Sequence, residues 1–455
     1  MKKKLSFVFS AVCSVFVFSQ AGNLDTSFNP QALNVSNIFS VANQSNGKVL
    51  VGSHSPSNLV RYNEDGSLDT TFKPDFTSNL VTVFSIVEQP DRKILYAGVG
   101  VVSGTQKYIS RINQDGSKDQ AFEAAIGTGA NNNINSIALQ ADGKILLAGD
   151  FTMFNGVNAG GIIRLNSDGT VDSTFNAGSV DTGIASCVLL KSGKIIISGS
   201  FKYFNGVAKN YIARLNEDGS LDTSFNTNIT PDNYIYSNVV EDANANILVG
   251  IYYPINNIKS NRIIRLKTDG SLDSSFSANN TTDSNINTIT LQQDQKIIIA
   301  GNFTKCNGVT NKAIARLNSD GSVDSTFNSG SGASNVSKAL ISKTNNEVFI
   351  VGGFSSYNEI SRPRIAKILL GSNLGTTYNN QDLEIEVYPN PTHSKLFISN
   401  IDFEYYEILN FAGQKLLSSS KVANYIDVSA LLEGTYIINF TTKTGKKLTK
   451  KFIKQ

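Results

Sequence analysis

Residues 61–72 read RYNEDGSLDTTF, and the phrase returns as RINQDGSKDQAF (111–122), RLNSDGTVDSTF (164–175), RLNEDGSLDTSF (214–225), RLKTDGSLDSSF (265–276) and RLNSDGSVDSTF (316–327). The aspartate of its Asp-Gly step falls at Asp65, Asp115, Asp168, Asp218, Asp269 and Asp320, at intervals of 50, 53, 50, 51 and 51 residues. That period is too long for a short-repeat solenoid and suits one small antiparallel sheet per unit. Upstream of each copy stands a second phrase, seen in the third unit as INSIALQADGKILLAG (134–149). Short apolar, β-branched runs parted by Asp-Gly, Asn-Gly and Ser-Gly steps predict strands joined by tight hairpins, four strands to a unit.

The ends of the array decide how the units assemble. The first copy lacks its beginning: LDTSFN (24–29) is the last strand of a unit without the three before it. The seventh, Val336 to Leu370, lacks its end and stops at RIAKILLGS without a D-x-x-F stretch. An open stack has no reason to split a unit between its termini. A ring does, because the first strand then completes the last sheet and leaves no unpaired edge. The expected fold is all-β: a seven-bladed β-propeller closed by the N-terminal strand, over residues 22–371.

The leader MKKKLSFVFSAVCSVFVFSQA has three lysines, an apolar core from Leu5 to Phe18, and Ser19 and Ala21 at the −3 and −1 places of a signal cut after Ala21. Cys13 lies inside the apolar core and reads as part of it. Nothing else approaches the roughly 20 apolar residues needed to span a bilayer. Loss of Lys2, Lys3 and Lys4 with residues 1–21 leaves 37 basic against 37 acidic residues. A neutral mature chain gives no electrostatic reason to expect nucleic acid or an anionic membrane surface as partner. Cys187 and Cys306 lie in different units, so no disulfide between them is expected.

The recurring Phe28, Phe72, Phe122, Phe175, Phe225, Phe276 and Phe327 read as core residues wedged between neighbouring sheets. Arg61, Arg111, Arg164, Arg214, Arg265 and Arg316, with Lys367 in the seventh unit, recur beside Asp69, Asp119, Asp172, Asp222, Asp273, Asp324 and Asp25, and predict one ion pair per unit. In N-x-D-G-S-x-D the oxygens alternate, as in a calcium loop. The glycine is misplaced for an EF-hand and the terminal glutamate is missing, while Asn-x-Asp-Gly suits a tight hairpin. The turn reading is preferred; no metal and no cofactor are expected.

These phrases, with F-x-x-x-N-G at 151–156, 201–206 and 303–308, resemble the delta-60 repeat of secreted bacterial β-propeller proteins. The resemblance covers nearly all of residues 22–371. It implies the architecture and brings no catalytic set.

Past Leu370 the register is lost, and residues 372–382 read as a linker. From 383 to 455 alternating strands with Pro-Asn-Pro, Ala-Gly and Thr-Gly turns predict a small Ig-like β-sandwich. Pro389, Asn390 and Pro391, Gly413, Gly434 and Tyr436, and a basic last strand ending KKFIKQ resemble the type A C-terminal sorting domain of the type IX secretion system of Bacteroidetes. That resemblance implies the secretion machinery as partner, export through both membranes, and a secreted or outer-surface location.

For catalysis the chain offers little. His54 and His393 stand without a nucleophile or metal partner at a recognisable spacing, so no enzyme is expected. Acid pairs at the channel mouth of a glycosidase or lyase are the alternative, and a purely structural surface protein is another. Binding is the leading reading. The loops between units and between second and third strands share one face and vary in sequence, whereas the Asp-Gly turns opposite are uniform. Tyr203, Tyr253, Tyr234 and Tyr236 on that face are the candidate ligand-binding residues for a glycan or surface protein. Phe154, Phe204 and Tyr357 align with Cys306 and read as plugs between units. The chain is expected to be a monomer.

Overall fold

In a computed structural model of the chain, the described residues are 20–455 apart from 55–56, 75–79, 101–106, 177, 228–238, 252–262, 277–281, 345, 372–386, 389, 399–402, 411–413, 421–424 and 443–446. The chain divides into two compact units, Met1–Ser372 and Asn373–Gln455. The leader to residue 19 and the linker 372–382 lie outside the described residues.

The first unit is all-β and propeller-like, with one short helix, Gln120–Ala125, among its described residues. Among the described residues, seven three-stranded antiparallel sheets follow one another, beginning with Ile38–Asn43, Val49–Ser53 and Leu59–Tyr62 and ending with Val336–Ile341, Glu347–Gly352 and Ile365–Leu369. In the third sheet Ile134–Leu139 pairs with Ile145–Gly149, which pairs with Ile162–Leu165. The middle strands are buried on both faces, which is why they read as unbroken apolar runs.

Alternation along the middle strand divides the core between neighbours. Ile145 and Leu147 pack against the second sheet, with Leu95, Ala97 and Phe122; Leu146 and Ala148 pack against the fourth, with Ile184, Cys187 and Ile197. Each interface between consecutive sheets holds such a cluster. One more joins the last sheet to the first, with Phe349, Val351 and Ile365 against Phe28, Ile38, Val49 and Val51. Asn43 Nδ2 donates to the Ile341 carbonyl at 2.8 Å across that same interface.

The expected fourth strand is not a strand. The D-x-x-F stretch meets its sheet through a single bridge in six units, as Tyr62 with Leu68 and Leu165 with Val171. The physical cause is the aspartate. Asp172 Oδ1 accepts from the Thr174 amide and hydroxyl at 3.0 and 2.7 Å, and Asp69 and Asp324 do likewise with Thr71 and Thr326, so the backbone turns instead of extending. In the second unit Asp119 caps the short helix instead. The turn carries the phenylalanine inward: six of the seven are buried and Phe175 is half-buried.

The ion pairs form at every unit. Arg Nε to Asp Oδ2 distances run from 2.6 to 2.8 Å in six units, and Lys367 Nζ stands 3.0 Å from Asp25. Two further contacts were not foreseen. The lysine that opens the middle strand joins the same carboxylate, as Lys144 of the D-G-K step to Asp172 at 3.0 Å and Lys296 of D-Q-K to Asp324 at 2.7 Å. Each arginine also donates through Nη1 to a backbone carbonyl of the next unit, Arg61 to Gln114 and Arg164 to Glu217 both at 2.6 Å. Its guanidinium covers its own unit's phenylalanine, Arg111 lying 4.3 Å from the Phe122 ring centroid.

Residues 21–28 repeat, on the seventh sheet, the contacts that residues 65–72 make on the first. Leu24 bridges Ile368 as Leu68 bridges Tyr62. The Asp25 amide donates to Lys367 at 2.8 Å as Asp69 does to Arg61 at 2.9 Å, and the Gly22 amide to Leu369 as Gly66 does to Asn63. Tyr357, buried in the seventh unit, donates its hydroxyl to the Gly22 carbonyl at 2.6 Å.

The second unit has two sheets. Val387–Tyr388, Lys395–Ile398 and Tyr425–Asp427 form one; Lys415–Ser419, Phe403–Leu409, Gly434–Thr442 and Lys447–Lys454 form the other. One cluster holds residues of both, among them Leu396, Ile426, Ile408, Ile438 and Phe452.

Candidate binding face

In the third, fourth, sixth and seventh units a two-stranded hairpin stands between the second and third strands. Its arms in the fourth unit are Tyr203–Phe204 and Val207–Ala208. The two tip residues both have positive φ, 48° for Asn205 and 76° for Gly206, which only Asn-Gly and its near relatives adopt cheaply. F-x-x-x-N-G is therefore a hairpin code, and its asparagine has a second use. Asn205 Oδ1 accepts from the Ser179 amide at 2.7 Å, and the Asn205 amide donates to the Ser179 carbonyl at 2.8 Å. Asn155 grips Thr128 and Gly129, and Asn358 grips Gly332, in the same way. A second clamp meets the first arm: Asp181 Oδ1 accepts from the Lys202 and Tyr203 amides, and Asp283 Oδ1 from those of Thr304 and Lys305. The variable loop between units is thus fastened to the hairpin of the unit that follows it.

These hairpins have two kinds of side chain. Phe154, Phe204, Cys306 and Tyr357 point inward and are fully buried, so they are plugs. Met153, Val157, Tyr203, Val207, Val309 and Ile360 are exposed large apolar residues, Tyr203 at 49%. The sequence reading singled out Tyr203 and missed Met153 at the same hairpin position, and it missed Val157, Val207, Val309 and Ile360, whose signal was an apolar residue directly after the Asn-Gly or Asn-Glu step. Tyr234, Tyr236 and Tyr253 lie outside the described residues.

The opposite face is committed to architecture. Asp65 Oδ1 accepts from the Ser67 amide and hydroxyl at 2.9 and 2.7 Å, and Asn63 Nδ2 donates to that hydroxyl at 2.9 Å. Four more turns repeat this set of contacts in full. A Cβ on Gly66, whose φ is +87°, would strike the Asn29 backbone at 2.6 Å. Hydroxyls on the first strands are also spent between sheets: Ser40 donates to the Val83 carbonyl, and Ser85 and Ser136 accept from the Ile137 and Cys187 amides. They line a cavity of about 250 Å³ together with Ser186 and Lys338. Burial lowers the Lys338 amine to about 8.

His54 Nδ1 lies 2.6 Å from the Thr82 hydroxyl with its ring edge-on to Phe39, and His393 Nδ1 lies 3.1 Å from the Gln455 carbonyl. Cys187 and Cys306 are free and buried. Burial pushes the Cys187 thiol up to about 11, and burial followed by the Asp283 carboxylate pushes Cys306 up to about 12, so neither is a ready nucleophile.

In the C-terminal unit, Asn390 fixes the last strand by accepting from the Ile453 amide at 2.9 Å and donating to the Lys451 carbonyl at 3.2 Å. Pro391 follows it, and Thr392 exchanges backbone hydrogen bonds with Ile453 and Gln455. Gly434 opens the long strand on which Tyr436 stacks against Phe452 and donates its hydroxyl to the Leu432 carbonyl. Pro389 and Gly413 lie outside the described residues.

A repeat array of sheets with fastened loops, followed by a small unit whose motif residues hold its terminal strand, defines a propeller-like repeat protein with a separate C-terminal β unit. The chain belongs to the proteins with the DUF5122 beta-propeller, a domain of unknown function matched at residues 44–72, 89–122, 140–175, 190–225, 247–276 and 292–327, and it ends in a secretion system C-terminal sorting domain, matched at 386–455. That tail is the sorting signal of the type IX system; it engages the secretion machinery and sends the chain to the cell surface or the medium. No curated protein matches. Among solved structures, PorZ, described as an essential surface component of the type-IX secretion system of Porphyromonas gingivalis, is similar with a TM-score of 0.47 and 13% identity over 94% of this chain and 60% of that one. Virginiamycin B lyase from Staphylococcus aureus, solved with quinupristin, is similar with a TM-score of 0.48 and 15% identity over 75% of this chain and 98% of that one. The chain spans 60% of the length of PorZ.

Proposed function

We propose that the chain is a non-catalytic, monomeric binding protein of the cell surface or medium, whose seven sheets form one ring closed by residues 21–28 and whose hairpin face takes a glycan or surface-protein ligand. The Ig-like C-terminal unit serves export. One observation carries the binding reading: the hairpins hold an inward plug and outward apolar side chains on a doubly fastened loop, with Tyr203 and Val207 both exposed on the two arms of one of them. Exposed apolar groups on a rigid, desolvatable surface are where recognition energy concentrates. The opposite face has its polar groups spent in turns and ion pairs, which leaves it little to offer a ligand.

Changing Tyr203 and Val207 together to alanine is expected to weaken binding on a glycan array or to whole cells by roughly 1–3 kcal/mol with the melting temperature kept, since truncating exposed groups opens no cavity. Unchanged binding with a melting point lowered by several degrees would make these residues packing and remove the site. Incubating any bound glycan with the protein checks the non-catalytic reading: no product is expected, and release of shorter sugars would overturn it.

A further inference from the structure

The reading of residues 1–21 as an export signal places the cut after Ala21, yet Ala21 is built into the fold. It is buried, at 9% exposure, in the cluster that holds Leu24, Phe327, Tyr357 and Leu370. Its carbonyl accepts from the Asn328 amide at 2.9 Å. In four other units the residue after the recurring phenylalanine donates in the same way to the aspartate of the next Asp-Gly step: Asn29 to Asp65, Lys73 to Asp115, Asn176 to Asp218 and Asn226 to Asp269. Ala21 therefore stands in the place of that aspartate, and Gly22 in the place of the glycine. Gly22 has φ +96°, against +87° to +100° for Gly66, Gly116, Gly169, Gly219, Gly270 and Gly321, and a Cβ on it would strike the Asn328 carbonyl.

The other half of the same turn comes from the far end of the unit. Arg316 Nη1 donates to the Leu370 carbonyl, the partner that in earlier units is the residue just before the aspartate, as in Glu217 for Arg164. Leu370 and Ala21 are thus the two sides of a chain break inside the seventh N-x-D-G turn. Gln20, the residue before Ala21, is exposed.

We propose that signal removal cuts between Ser19 and Gln20, so that the mature chain keeps Ala21 and Gly22 to form the seventh turn. Ser19 then supplies the small residue at −1, with Val17 at −3. A cut after Ala21 would leave the Asn328 amide without its acceptor and open the buried space the methyl group fills, and it would place a charged amine on Gly22 inside the turn.

This inference rests on the export-signal reading, and one experiment separates the two. The N-terminal peptide of the protein collected from the native host's medium or surface is sequenced by mass spectrometry. A mature N-terminus at Gln20 is expected. A terminus at Gly22 overturns the inference while leaving the signal intact, and one at Met1 overturns both. As a second measurement, chains 20–455 and 22–455, each released from a cleavable tag, are melted. The shorter is expected to melt about 2 °C lower, given the size of the ring; equal melting points would show that Ala21 adds nothing to the turn and count against its retention.

Discussion

Arg164 shows how much one recurring residue can join. Nε holds Asp172 of its own unit, Nη1 holds the Glu217 carbonyl of the next, and the guanidinium lies 4.8 Å from the Phe175 ring centroid. The pairing with aspartate was legible because both residues recur at a spacing of eight. The tie to the next unit and the third partner, Lys144, were not, because they link positions that only the folded sheet brings together. At Asp172, burial raises the carboxyl, but hydrogen bonds from Thr174, Lys144 and Arg164 outweigh it and hold it well below the usual carboxylate range. Asp69, Asp222 and Asp324 are held down in the same manner. A carboxyl whose pKa is lower folded than unfolded contributes stability above the unfolded value of about 4, and that contribution is lost as pH falls toward the folded value. The urea midpoint is therefore expected to hold steady from pH 7 to 5 and to fall steeply below pH 4. A midpoint unchanged at pH 3 would show that the carboxylates add nothing.

At the level of elements, the apolar runs between Asp-Gly and Asn-Gly steps gave three strands of every unit, and the fourth failed for a local reason. D-x-x-F looks like a strand by its alternation, but Asp172 and Thr174 satisfy the backbone within the turn itself. Period-two patterning cannot distinguish that from an extended chain. F-x-x-x-N-G was recognisable as a repeat, while its work of clamping the preceding loop was hidden, since the partners Thr128 and Ser179 sit in stretches that share little beyond one Gly-Thr or Gly-Ser step. Replacing Asn205 with alanine should remove the acceptor for Ser179 and put at positive φ a residue that tolerates the left-handed region less well than asparagine, a loss of about 2 kcal/mol in unfolding free energy. Amide exchange at Ser179 should quicken along with it. Unaltered exchange at that amide would mean the loop is held by something else.

For the whole molecule, the split repeat was the most informative signal, and what it left obscure was how finely the split is placed. The truncated LDTSFN and the unfinished seventh unit pointed to ring closure; only the hydrogen bonds of Ala21 and Gly22 place the break inside a turn, because neither residue resembles the Asp-Gly it replaces. The variable-loop face was legible as a face and not as a set of exposed side chains, since exposure at Val207 or Ile360 follows from the hairpin and not from composition. Closure is the claim on which the rest depends, and it can be tested in solution. Leu24 and Ile368 face each other with hydrogen bonds on either side, Asp25 to Lys367 and Leu369 to Asn23, which makes them a non-hydrogen-bonded antiparallel pair with α-carbons about 4.5 Å apart. In a mature chain carrying Leu24→Cys and Ile368→Cys, mild oxidation should join the two segments within one molecule, seen as a single disulfide-linked peptide pair after digestion. Free, alkylatable thiols at both positions in an otherwise folded chain, or links only between molecules, would contradict the closed ring.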